Sequence, residues 1–289
     1  MKFKTIEEWC KYLEKHFTSE IMIPKLPVII RLDGNNFHNW TKGLERPFDK
    51  QLTNLMIETT KFLVKETNAI IGYTQSDEIT LVLYSEDRSS EIYHSGKKQK
   101  ILSKLTAKCV NFFNEKRQEL LPSHNKVAVF DCRIYQTPTL HDACIQLLWR
   151  ENDAIKNSIS ILARSLYSHK QIQNLNSCEM KDKMINDKGV NWNDLEVKFR
   201  RGTYIKRIKT CKPFTKEELT RLPPKHQAHK NPNLIIKRSV IKEVELPRFN
   251  TIINKVDAIF SDTKPETISS HDVKEKTRTS LDGSNENMI

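Results

Sequence analysis

The chain has 289 residues, 37% of them hydrophobic, enough for one large domain or two small ones around a real core. Its formal net charge of +12 and pI ≈ 9.3 favour a polyanionic partner, nucleic acid before membrane surface. Six cysteines at 10, 109, 132, 144, 178 and 211 make no C-x-x-C pair and no zinc spacing, and no run approaches the roughly 18 apolar residues of a membrane span, so disulfide scaffolds, zinc modules and spanning helices are set aside. The opening MKFKTIEEWCKYLEKHF is charged throughout and lacks an apolar signal core, which predicts a cytoplasmic protein with reduced thiols.

In chain order, residues 5–18 place Ile6, Trp9, Tyr12 and Leu13 on one helical face, expected to pack on the core. Residues 27–33 alternate little and are strongly apolar (Val28, Ile29, Ile30, Leu32), which marks a buried strand running into Asp33-Gly34. Residues 34–47 form a loop. Asp49 is the N-cap of a helix over 49–67, with Leu52, Leu55, Met56, Thr59, Phe62 and Leu63 on one face. Residues 69–74 and 79–84 are β-rich runs joined by Gln75-Ser76-Asp77-Glu78, a hairpin with a tight polar turn. A loop over 86–98 leads to a second helix over 99–120, ended by Pro122, and 127–135 reads as a fourth strand. Strand, helix, strand, strand, helix, strand is the order of a ferredoxin-like split βαβ, an α+β fold. In that topology the first and third strands lie side by side and antiparallel, which brings Asp33 to Asp77 across 44 residues of sequence.

The catalytic domain is expected over 1–138, followed by a helical and basic region over 139–260 and a disordered tail over 261–289. Thr139 caps a long helix to about Tyr167, 168–209 mixes short helices and loops, and LIIKRSVIKEVEL reads as a strand.

Two aspartates on adjacent strand ends suit two magnesium ions, which take oxygen ligands and stabilise an attacking hydroxyl and a leaving pyrophosphate. Gly34 allows close approach to its backbone. Pattern alone leaves open that Asp33-Gly34 and Ser76-Asp77-Glu78 are ordinary turns. Arg31 within the strand calls for an anionic partner. Arg46, Lys97, Lys98 and Lys100 are candidates for a triphosphate, the lysines at a helix start where the dipole also favours phosphate. Ser103 adds a hydroxyl donor and His38 a possible base contact. Arg200, Arg201, Lys206, Arg207, Lys209 and Lys212 crowd around Tyr204, a mixture suited to an RNA backbone or to a charged surface strand.

Six segments in order, RLDGNNFH (31–38), QSDE (75–78), KILS (100–103), FDCR (130–133), WRENDAIKNSI (149–159) and FRRGTY (199–204), resemble the tRNA-His guanylyltransferase superfamily, the reverse (3′–5′) polymerases. The resemblance implies a polymerase-like palm and makes Asp33, Asp77 and the Gly34 carbonyl metal ligands, with Glu78 assisting catalysis. It implies nucleotide contacts from Arg31, Asn35, Asn36, Phe37, His38, Arg46, Ser76, Lys97, Lys100 and Ser103. Asn157, Arg200, Arg201, Tyr204 and Arg207 are the implied RNA contacts. One departure separates branches. Members that add the extra guanosine to tRNA-His carry H-I-N-N-L-Y-N after the W-R, and Ile155 stands where that histidine would be. The local sequence is similar to the tRNA-His guanylyltransferase-like branch, which repairs 5′-truncated tRNA. The resemblance therefore implies a magnesium-dependent, templated 3′–5′ RNA polymerase using ATP or GTP to activate the 5′ end and nucleoside triphosphates as substrates, assembled as a homotetramer with no membrane partner. The alternatives are a dedicated guanylyltransferase adding G−1, a palm-type nucleotidyl cyclase, and a non-catalytic RNA-binding protein.

Overall fold

The computed structural model describes residues 3–87, 90–231 and 233–268. Its elements are α1 (Ile6–Thr18), β1 (Val28–Gly34), α2 (Phe37–Trp40), α3 (Lys50–Thr67), β2 (Ile71–Gln75), β3 (Glu78–Leu83), α4 (Lys98–Leu120), β4 (Phe130–Gln136) and α5 (Leu140–Leu166). There follow α6 (His169–Ile172), α7 (Ser177–Lys188), α8 (Val197–Arg201), β5 (Thr203–Pro213), α9 (Lys216–Thr220), α10 (Gln227–Lys230), β6 (Ile235–Val244) and α11 (Lys255–Phe260). The strands form one sheet in the order β4-β1-β3-β2-β5-β6, with every neighbouring pair antiparallel. The α+β class with an antiparallel sheet is the one expected, and β1 and β3 are neighbours.

Both faces of the sheet are covered, which is why β1 is apolar at consecutive positions. Val28, Ile30 and Leu32 join Ile79, Leu81 and Ile205 in a core against α3 and α4, with Leu55, Leu63, Leu105 and Phe113. Ile29, Ile71, Tyr73, Val82 and Tyr204 face the other way, against Ala143, Cys144, Leu147 and Ala154 of α5 and against Phe249 and Ile259. The C-terminal half of α5 continues past the sheet and makes a third cluster with Met184 and Trp192. The helix starts follow their side chains. Asp49 accepts from the amide of Leu52 at 2.8 Å, and Thr139 accepts from that of Asp142 at 3.1 Å.

Four local expectations change. Helix α1 forms and is capped by Thr5, yet none of its residues is buried; its apolar residues instead make a surface ladder of rings through Trp9, Tyr12 and His16. The loop over 34–47 contains the short helix α2. The FRRGTY segment is divided: α8 ends at Arg201, and β5 begins at Thr203 and pairs with β2, so the sheet continues beyond residue 138. Residues 261–268, expected to begin a disordered tail, return to the fold through a bridge between Ile252 and Thr267 and a bond from the Ile253 amide to the Glu266 carbonyl. The rest of that tail lies outside the described residues. Among the described residues no helix is long and apolar enough to cross a membrane.

Candidate active site

Asp33 stands one residue from the end of β1. The register places Glu78 of β3 opposite it on one side and Asp131 of β4 on the other. Residues directly opposite in an antiparallel pair project to the same face, so three acidic positions share a row. Asp77 occupies the two-residue turn between β2 and β3, whose first residue, Ser76, is left-handed with φ 55°. The Ser76 hydroxyl donates to the Asp77 carboxylate at 2.9 Å, and the Gly34 amide donates to the Asp77 carbonyl at 3.1 Å. The turn is thereby tied to the end of β1. Burial raises the Asp77 carboxyl to about 6; the Ser76 hydrogen bond opposes the rise and the neighbouring Asp33 charge adds to it.

Glu78 is held by Arg150 of α5. Nε and Nη2 of Arg150 donate to its two oxygens at 2.6 and 2.7 Å, and Nη2 also donates to Asp153 at 2.9 Å. Burial still leaves the Glu78 carboxyl above its ordinary value, with Arg150 pulling the other way. The cavity around Asp33, Asp77 and Glu78 is closed on its far side by Arg150, Asp153, Asn157 and Arg164. These recur every three, four or seven residues, one face of α5. Of the four, sequence reasoning named only Asn157. The available signal is a polar stripe at helical spacing, opposed to the buried apolar face of this 27-residue helix.

A second, more apolar cavity adjoins the first and shares Gln75 and Ser76 with it. Phe48 and Phe199 stack in its wall at 5.3 Å with 13° between planes, beside Leu52, Met56 and Ile161. Arg46 lines it as well.

The expected metal site fits the donor set. Asp33 and Asp77 repel one another, which is the charge arrangement a divalent cation relieves, and hard oxygen donors suit magnesium. Among the described residues no group of three or more His, Cys, Asp or Glu side chains gathers closely enough to hold a metal.

The remaining expected residues divide. Arg31 shares the Asp33 face, its guanidinium 5.3 Å from the Trp149 ring and its Nε buried without a partner. Asn35 and His38 are exposed, and Asn36 is left-handed, accepting from Asn39. Phe37 is 4% exposed and packs on Trp40, Phe113 and Phe130. Its side chain is core, not a nucleotide contact. It also explains Gly34, where an added Cβ would lie 2.3 Å from the Phe37 ring.

Lys97, Lys100 and Ser103 are not brought to the aspartates. Lys97 bridges to Ile21, and the Ile23 amide is bound by Gln136, which pairs with Val28 at the opposite end of β1. Five residues of strand, roughly 17 Å, separate that end from Asp33. Helix α4 starts at the Val28 end because β3 runs there from the hairpin.

The expected RNA contacts in FRRGTY are largely structural. Arg201 and Tyr204 bind Glu151, which is 1% exposed, at 3.3 and 2.7 Å; the Phe249 amide completes the set at 3.0 Å. Arg207 donates to the carbonyls of Val64 and Ala69, closing the end of α3. Arg200 donates to the Leu195 carbonyl and lies 5.5 Å from the Trp192 ring. Gly202 is required because β5 passes so close to β2 that a Cβ would meet the Thr74 carbonyl oxygen at 2.5 Å.

The tRNAHis guanylyltransferase family model matches residues 8–138. A bacterial tRNA(His) guanylyltransferase-like protein in complex with ATP is 35% identical, with TM-score 0.67 over 70% of this chain and 88% of that one. A bacterial protein of the same description in complex with GTP is 29% identical, with TM-score 0.65 over 85% and 94%. The tRNA(His) guanylyltransferase of Saccharomyces cerevisiae is 25% identical over 218 residues, 68% of this chain and 89% of its own.

Proposed function

The chain belongs to the tRNA(His) guanylyltransferase family, and from this we propose that it is a nucleotidyltransferase that builds RNA in the 3′–5′ direction, repairing the 5′ end of truncated tRNA, tRNA-His included, against the opposite strand of the acceptor stem. The observation that carries the reading is the tie of the Gly34 amide to the Asp77 carbonyl, which holds the hairpin turn bearing Asp77 to the strand end bearing Asp33, beside a cavity faced by Arg150, Asn157 and Arg164. In this reading the β4-β1-β3-β2 part of the sheet with α3 and α4 is the ferredoxin-like palm.

Two displacements at phosphorus make up the reaction. An oxygen of the tRNA 5′-monophosphate attacks the α-phosphorus of ATP or GTP, and pyrophosphate leaves. The 3′-hydroxyl of an incoming nucleoside triphosphate then attacks the activated 5′-phosphorus, and the nucleoside monophosphate leaves. Magnesium on Asp33, Asp77 and the Gly34 carbonyl would supply the positive charge for the attacking and leaving oxygens. The chain's own groups do the positioning. The cavity with the Phe48–Phe199 stack takes a purine base, and Ser76 at its junction with the carboxylates faces the phosphates. The unpartnered Nε of Arg31 is a donor for a phosphate oxygen on the other side of Asp33. Complexes of the two bacterial relatives with ATP and GTP agree with such use of nucleotides.

The relatives' names favour a second reading, addition of a single G−1 to tRNA-His. Ile155 opposes it: the side chain packs against the Trp192 cluster on the side of α5 away from the carboxylate cavity, where it offers no hydrogen bond. Incubation with a tRNA lacking its first nucleotide, ATP, labelled nucleoside triphosphates and magnesium separates the two. Repair restores the templated nucleotide whatever its identity; G−1 addition incorporates guanosine alone.

A further inference from the structure

Glu78 is misplaced for a residue adjoining a cation site unless something restrains it. It lies directly across from Asp33 in the β1–β3 register, where Cβ atoms of an antiparallel pair stand about 5 Å apart. It also follows Asp77 immediately in sequence. A free carboxylate there would be a third carboxylate ligand. Arg150 prevents this in a specific way. Its planar fork meets both Glu78 oxygens at 2.6 and 2.7 Å, with the side chains 13% and 16% exposed, and its third contact, to Asp153 at 2.9 Å, fixes the fork from its own helix. The guanidinium also lies 4.5 Å from the Trp149 ring, so it is restrained from a further side. We propose that Arg150 is a positioning residue that withdraws Glu78 from the cation site formed by Asp33 and Asp77.

The chemical consequence is selectivity. Two carboxylates with room for water and phosphate oxygens match magnesium, which keeps part of its water shell. Three would favour a larger cation of higher coordination number, such as calcium or manganese, and bind it too tightly for phosphates to exchange. The inference rests on the reading of Asp33 and Asp77 as cation ligands, and the test separates the two.

The test measures Mn²⁺ binding by electron paramagnetic resonance on the nucleotide-free full chain. It uses wild type, Asp77→Asn, Arg150→Met, Arg150→Lys, and Arg150→Met combined with Glu78→Gln, each checked for folding by thermal melt. Wild type binding that Asp77→Asn abolishes supports the carboxylate reading; equal binding by the two removes that reading and this inference with it. Given the first result, Arg150→Met binds Mn²⁺ roughly tenfold tighter, as a gain of one carboxylate implies. Arg150→Lys, which keeps the charge without the fork, falls between, and the double variant returns to the wild-type value. With magnesium, Arg150→Met lowers kcat more than it raises KM for the nucleotide. Unchanged or weaker Mn²⁺ binding by a folded Arg150→Met chain would overturn the inference, as would a double variant that keeps the tighter binding.

Discussion

The backbone amide of Gly34 donates to the carbonyl oxygen of Asp77 at 3.1 Å. The bond joins the end of one strand to the turn of a hairpin more than forty residues later, and it holds Asp77 beside the strand end that carries Asp33. Because the contact is made by backbone, side-chain changes at either aspartate leave it in place. Asparagine variants therefore report on charge and not on loss of the fold.

Gly34 itself is predicted to be intolerant. Alanine would place a Cβ 2.3 Å from the ring of Phe37, which is wedged among Trp40, Phe113 and Phe130 and has no free space. Gly34→Ala should destabilise the chain by roughly 1–3 kcal/mol, the usual cost of overpacking, and reduce nucleotide addition by shifting Asp33. Thermal or urea unfolding measures the first effect.

Asp77 predicts opposite pH responses for activity and stability. Its carboxyl is raised to about 6 in the fold, so cation binding and nucleotide addition should fall as pH drops through about 6, approaching tenfold per unit on the acid limb. The folded chain holds this proton more tightly than the unfolded one. In cation-free buffer this group's contribution to stability is therefore present at low pH and lost as pH rises through about 6. Asp77→Asn should remove that loss and raise stability at pH 8 by about 1–2 kcal/mol, less than the full conversion because the group is partly solvent-accessible. Melting curves in EDTA across pH 5–8 test the sign.

The Glu151 network yields a prediction that runs against the sequence pattern. Tyr204→Phe leaves a buried carboxylate oxygen without its donor at 2.7 Å and should cost about 1–3 kcal/mol of stability. It should leave the affinity for tRNA, and its dependence on salt, unchanged. A weakened complex without a stability change would restore Tyr204 as an RNA contact.

That contrast locates what could be read from the sequence. A continuous apolar run carries β1, the 3.6-residue period carries α3 and α4, and capping side chains mark Asp49 and Thr139, because local chemistry determines them. Topology then carries the Asp33–Asp77 pairing. The FRRGTY segment misleads because an arginine bound to a buried glutamate 50 positions earlier has the same local sequence as one bound to phosphate. Arg150 is illegible for the same reason: its partner Glu78 is 72 residues away. The face of α1 shows the converse limit. Its apolar spacing specifies a helix but not what it packs on, and none of it is buried.

The apolar cavity offers a test of nucleotide placement. Phe199→Ala removes one ring of the Phe48–Phe199 stack. If the base lies there, KM for the activating nucleotide should rise about tenfold, in line with the roughly 1–3 kcal/mol of a stacking contact, with a smaller change in kcat. An unchanged KM in a folded variant would place the base elsewhere.

The role of Asp77 in 5′-end repair is tested most directly by incorporation of labelled nucleotides into a tRNA lacking its first residue, with ATP and magnesium, and mapping of the product's 5′ end for the wild type and Asp77→Asn. Templated repair on a cation held by Asp33 and Asp77 predicts restoration of the 5′ nucleotide by the wild type and loss of at least about a hundredfold in rate by the folded variant, as expected when a ligand of the charge-stabilising cation is removed. Undiminished addition by Asp77→Asn would contradict it.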